Sequence, residues 1–277
     1  MAKNKSKKNN NSNDEKMVLI VSDFHCGHNV GLTPPEWRLD FKSKNIKTKR
    51  SKYCKIQGEC WNFIKDELKQ LGKPDICIAN GDLIDGRGEM SGGTELITVD
   101  RQEQCDMAVD CLKMFNADRY VLTYGTAYHV GKLEDYENLI AEKISAESIG
   151  SHEWIDVNGI IFDVKHHIGS SGIPHGRYTA IAKDRLWNTI WAQHEEQPKS
   201  DIIVRSHVHY MAGSFSPDWM GFTTPALQAM GSKYGSRRCS GTVDFGFVVF
   251  YVKKNGEYRW ESHIAKIKAQ QAKTIKL

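Results

Sequence analysis

Five short apolar runs, each stopping at a turn that carries Asp, His or both, restrict this chain more than any other feature of it. Met17 to Val21 runs into Ser22-Asp23-Phe24-His25. The run inside Asp75 to Asp85 stops at Gly81-Asp82, and Tyr120 to Tyr124 leads to Gly125-Thr126-Ala127-Tyr128-His129. Gly159 to Val164 leads to Lys165-His166-His167, and Ile202 to Val204 is followed by Ser206-His207-Val208-His209. Runs so short and so apolar read as strands buried on both faces. Stretches with helical spacing lie between them. Ile56, Cys60, Ile64, Leu68 and Leu71 precede Gly72 and Pro74, a second helix opens at Asp100 with Glu103 placed for a capping box, and helices are predicted over roughly Leu133 to Ala146 and Arg177 to Gln193. Alternating strands and helices make an α/β fold, whose ligand chemistry gathers at the carboxyl ends of the strands. A hairpin, Phe247 to Val252 and Tyr258 to Ser262 about Asn255-Gly256, ends the pattern.

With 277 residues, 40% of them apolar, the chain can bury a substantial core. No apolar run approaches the ~20 residues of a membrane helix, and the polar start has no secretory h-region, so the expectation is a cytoplasmic protein with no membrane partner. Seven scattered cysteines without a Cys-x-x-Cys pair are expected to be reduced packing residues, Cys26 beside the candidate site included. Residues 1–16, at net +3 and almost without apolar side chains, are expected to be a disordered tail preceding one domain over 17–277. Residues 30–55 read as a long insertion or loop. Within it, 42–55 carries +7, which together with the +3 of residues 1–16 leaves the remainder of the chain at −6 and suits either a polyanionic partner such as nucleic acid or a solvated loop.

Carboxylates and imidazoles at five strand ends suit Mn, Fe or Zn at two adjacent positions. The order Asp23-x-His25, Gly81-Asp82-x-x-Asp85, a Gly125 loop, a later histidine and His207-x-His209 resembles the calcineurin-like metallophosphoesterase family over about residues 17–210. That resemblance implies a four-layer αββα sandwich of two mixed β-sheets flanked by helices, with the hairpin at its end. It also implies a dinuclear centre of divalent ions, Mn favoured. Carried over, Asp23, His25 and His209 would bind one metal, His207 and one of His166 and His167 the other. Asp82 would bridge, and Asp85 would orient a histidine. Strand alternation sends His166 and His167 to opposite faces, so one of the two ligates.

The chain departs from the family twice. Where the family has Gly-Asn-His, supplying an amide ligand and a general acid, this chain has Gly125-Thr126-Ala127-Tyr128-His129, with Thr126 at the ligand position and His129 as acid or ligand. This variant resembles phosphoesterases of phages and prophages. The second departure, Ser206 for a usual Gly, exchanges one small residue for another. The implied activity is hydrolysis of a phosphoester by a metal-activated water, with a phosphodiesterase or nuclease as the leading reading. The alternatives are a phosphomonoesterase and a catalytically poor, metal-stabilised nucleic-acid-binding module. His28, His175 and Arg177 are candidate phosphate contacts. The sequence leaves the oligomeric state open.

Overall fold

The computed structural model describes residues 14–38, 50–131, 135–232, 235–236, 241–272 and 274–277. These form β1 Glu15–Val21, α1 Arg50–Leu71, β2 Ile76–Asn80, α2 Arg101–Phe115, β3 Arg119–Thr123, α3 Ala127–Val130, α4 Tyr136–Ile144 and β4 Ser148–Gly150. After them come β5 Glu153–Val157, β6 Ile160–Val164, α5 Arg177–Gln193, β7 Ile202–Arg205, β8 Ala212–Ser216, β9 Trp219–Thr223, β10 Phe245–Lys253 and β11 Tyr258–Ala265.

The strands make two mixed sheets, ordered β11-β10-β1-β2-β3-β4 and β5-β6-β7-β9-β8. β1 to β4 run parallel, as do β6, β7 and β9, whereas β10 lies antiparallel against β1. Alternation along β1 shows why two sheets are needed. Leu19 and Val21 face Ile56, Cys60, Leu112 and Phe115 of the outer helices, while Val18 and Ile20 face Phe162, Val204 and Phe222 of the second sheet. A strand apolar on both faces must be covered on both. On the far side of the second sheet, Ile181 of α5 packs with Ile168, Tyr210 and Ala212. The layers are therefore helix, sheet, sheet, helix, the architecture expected from the sequence.

Several boundaries and elements differ from expectation. β1 begins at Glu15, inside the predicted tail, because Met17 N–H and the Lys16 ammonium are both held by Asp75; residues 1–13 lie outside the described residues. The basic stretch is not one loop: Arg50 to Lys55 form the first turns of α1, and 42–49 lie outside the described residues. Nor are 30–33 an open insertion, since Val30, Leu32 and Thr33 are buried. Asp100 caps α2 as predicted, accepting from Gln102 N at 2.8 Å and Glu103 N at 3.4 Å, but its own N–H goes to Thr98 Oγ1, so no reciprocal box forms. The strands β4, β5, β8 and β9 were not legible, being short or half-exposed.

The carboxyl ends of β1, β2 and β3 meet those of β6 and β7 at one edge, where a fully buried polar chain joins the sheets. Thr123 Oγ1 donates to Asn80 Oδ1 (2.5 Å) and Asn80 Nδ2 donates to Ser206 Oγ (2.6 Å). Ser206 Oγ meets Thr224 Oγ1, which meets Ser22 Oγ, each at 2.7 Å. One donor direction satisfies every hydroxyl, with Ser22 passing its proton to Pro225 O at 3.3 Å.

Candidate metal centre

Directly above this chain the backbone is strained. Asp23, His25, Asp82, His207 and His209 have φ of 52°, 46°, 52°, 71° and 56°. Left-handed backbone costs a non-glycine residue about 1–3 kcal/mol and persists where neighbouring structure imposes it. Here cross-strand bonds impose it: Asp23 N to Gly81 O and His25 N to Asp82 O, both 3.0 Å. Two glycines keep the centre open. A Cβ on Gly81 would stand 2.6 Å from His166 Nδ1, and one on Gly125 would collide with the Asp82 carboxylate.

Three groups of side chains lie close enough together to hold an ion. Asp23, His25 and His209 form the first, Asp82, His166 and His207 the second, and His25, Asp85 and His129 a third that shares His25 with the first. In the first, His209 Nε2 lies 3.2 Å from both Asp23 Oδ1 and His25 Nε2, and His25 Nε2 lies 3.9 Å from Asp23 Oδ1. In the second, His166 Nε2 and His207 Nδ1 stand 3.0 Å and 3.9 Å from Asp82 Oδ2. Metal–nitrogen bonds of about 2.0–2.1 Å put neighbouring ligand atoms about 2.9–3.4 Å apart, so the spacing of the closest pairs is that of donors around one ion. Asp23 Oδ1, fully buried, accepts no aligned hydrogen bond, although His209 Nε2 stands 3.2 Å away. A buried carboxylate oxygen left so is costly unless a cation meets it. The residues fit a divalent metal.

Second partners fix the tautomers. His25 Nδ1–H donates to Asp85 Oδ1 (3.0 Å) and His166 Nδ1–H to Asn80 O (2.7 Å), turning each Nε2 lone pair toward its group. Burial pushes the His25 imidazolium down, helped by His129, to about 4. Burial acts on His166 in the same direction, but Asp82 and Asp23 outweigh it and hold it up at about 10. Against burial, which opposes ionisation, His209 and His166 hold Asp23 down at about 2, and His28 and His25 hold Asp85 at about 2. His166 and His207 hold Asp82 well below the usual carboxylate range. Carboxylates that keep a proton on a buried imidazole would equally keep a cation there.

The remaining sequence candidates separate. His166 lies in the centre, whereas His167 is exposed, its ring tilted against that of His207 at 5.0 Å. Thr126 is a donor to Asp82 rather than a member of any group: its N–H lies 2.7 Å from Oδ1, and its hydroxyl 3.0 and 3.2 Å from the two oxygens. The oxygen within 4.0 Å of nitrogens from both the first and the second group is Asp23 Oδ1, while Asp82, the expected bridge, meets nitrogens of the second. His129, on the single turn of α3, donates Nδ1–H to Asp85 O (2.9 Å) and sets its ring edge-on to His25. A cavity of about 490 Å³ opens over Asp82, His207, His209 and His129, and His28 lines it. His175 is exposed and Arg177 is held by Thr242 and the Tyr210 ring; neither lines the cavity.

Sequence reasoning missed three supports. Glu137 on α4, fully buried, accepts from Leu83 N (3.0 Å) and Gly125 N (2.7 Å), clamping the Asp82 turn to the Gly125 loop. Its one signal was an acid on the helix face of Ile140 and Ala141. Gln104 exchanges two 2.8 Å bonds with Gly86, just beyond Asp85. Asn80 sat unread inside an apolar strand.

No family model and no curated protein sequence matches the chain. Among solved structures it is similar to Vps29 complexed with Zn2+ from Entamoeba histolytica, with 14% identity over 90% of this chain and 98% of that one and a TM-score of 0.41. It is also similar to a novel archaeal phosphodiesterase (12% identity, 89% and 99% covered, TM-score 0.42) and a predicted phosphoesterase from Streptococcus pneumoniae (9%, 91% and 99%, 0.38). Likeness at this level carries nothing about activity. The geometry of the site does.

Proposed function

We propose that the chain is a metal-dependent phosphodiesterase of the calcineurin-like metallophosphoesterase type, the Gly125-Thr126-x-x-His129 loop aligning it with the phage and prophage members. The observation that carries this is the gathering of six donor side chains in two groups beneath a cavity of substrate size, with Asp23 Oδ1, which accepts no aligned hydrogen bond, within 4.0 Å of nitrogens from both groups. Asp23, His25 and His209 would hold one divalent cation and Asp82, His166 and His207 a second, manganese favoured. Such cations, when bound, acidify a water and polarise phosphoryl oxygens. The protein supplies the rest. Asp85 and Asn80 keep the His25 and His166 lone pairs aimed inward, and Thr126 fixes the Asp82 carboxylate. His129, anchored through Nδ1, presents its other nitrogen as the proton donor to the leaving oxygen. Among the described residues lining the cavity there is no Arg or Lys to balance the second charge of a phosphomonoester, which favours the singly charged diester.

The test is Asp82→Asn, with bound metal and hydrolysis of bis-p-nitrophenyl phosphate measured together. The variant is expected to lose bound metal and at least about a hundredfold in rate; full metal with full activity overturns the proposal. Turnover of p-nitrophenyl phosphate above that of the diester would favour a monoesterase. Retained nucleic-acid binding with no hydrolysis of any ester in manganese would favour the binding module.

A further inference from the structure

Part of the cavity wall is of a different chemistry from the histidines. Val30, Ala229, Met230 and Val243 form it, with Tyr128, and Gln228 contributes an amide. A phosphate and two cations have no use for such a surface, and apolar surface lining an open site is stable only if it is small or has something to cover it. It is also held in place. Ala229 N–H donates to Val30 O at 2.8 Å, and Met230 N–H to Gln270 Oε1 at 2.8 Å, so the two strips that build the wall are tied to each other and to the chain's final segment.

From this we infer that the wall is a nucleoside-binding subsite, and that the substrate class is a small nucleotide-type phosphodiester. The inference rests on the phosphodiesterase reading and deepens it. A planar base is apolar on its faces and polar at its edge. The Met230 thioether and the neighbouring aliphatic side chains suit the faces, since methionine adapts its shape and makes favourable sulfur–aromatic contacts. Gln228 offers the donor and acceptor that a base edge needs. A cavity of about 490 Å³ holds one nucleotide beside the metal groups but no duplex.

Two esters with one leaving group and one charge isolate the nucleoside: thymidine 5′-(p-nitrophenyl phosphate) and methyl p-nitrophenyl phosphate. In manganese the first is expected to exceed the second in kcat/KM by about tenfold or more, the scale of apolar pocket discrimination. Met230→Asp should bring that ratio toward one, while Met230→Leu preserves it. Equal kcat/KM for the two esters overturns the subsite and leaves the phosphodiesterase reading standing. If neither ester is hydrolysed, the phosphodiesterase reading fails and calorimetry with thymidine 5′-monophosphate decides the subsite. Binding that Met230→Asp weakens at least tenfold supports it, and absence of binding overturns it.

Discussion

Replacing Glu137 by Gln changes one atom in the clamp that holds the Asp82 turn against the Gly125 loop, and the structure sets the cost. Both carboxyl oxygens accept a backbone N–H, from Leu83 at 3.0 Å and Gly125 at 2.7 Å. Burial pushes this carboxyl up to about 8, against the two amide donors, which favour ionisation. In either protonation state both positions are oxygens. The glutamine nitrogen has no lone pair to offer, so one of the two N–H groups, that of buried Leu83 or half-buried Gly125, loses its acceptor and faces another donor. An unsatisfied buried donor costs about 1–3 kcal/mol. Taking about 2 kcal/mol, a protein of this size should melt about 3–4 °C lower. Because the two amides flank Asp82 and the glycine beside Thr126, metal retention should fall as well. Thermal melting of metal-free and manganese-loaded protein, with metal analysis, measures both. A Glu137→Gln protein that melts with the wild type and keeps its metal would refute the reasoning, since the two N–H groups would then have partners other than this side chain.

Three further outcomes follow from the same geometry. Gly125→Ala forces a methyl into the Asp82 carboxylate and should abolish most metal binding and at least about a hundredfold of activity; wild-type metal content by elemental analysis would contradict this. Ser206→Ala removes the acceptor of Asn80 Nδ2 and a partner of Thr224, and should destabilise by about 1 kcal/mol, read as a lower urea midpoint. An unchanged midpoint would show that the buried polar chain closes without it. In metal-free protein, the stabilisation from His166, whose imidazolium is held at about 10 against an ordinary 6.5, is complete below pH 6.5 and lost as pH rises through about 10. Melting in EDTA should therefore fall across pH 7–10 more steeply than melting in manganese, where a cation takes the proton's place; parallel curves would sink this.

Much of this protein was legible from residue order alone. Apolar runs without alternation, such as Met17 to Val21, require cover on both faces, and that demand entails layered sheets with helices outside. Polar residues that interrupt an apolar run are conspicuous, so Asp23, His25, Asp82, His207 and His209 were visible at once. What distinguished His166 from His167, or made Thr126 a donor to Asp82, depends on which way a side chain points after the strand has ended. There periodicity stops, and left-handed backbone is imposed by cross-strand bonds such as His25 N to Asp82 O. Glu137, Gln104 and Asn80 were missed for a related reason. Their partners are backbone groups and side chains 12 to 126 residues away, and no local pattern records a hydrogen bond that exists only once the chain has folded. The residue types at the strand ends thus follow from the chain itself, while the pairing of those residues into groups, and the apolar part of the cavity lining, come from tertiary packing.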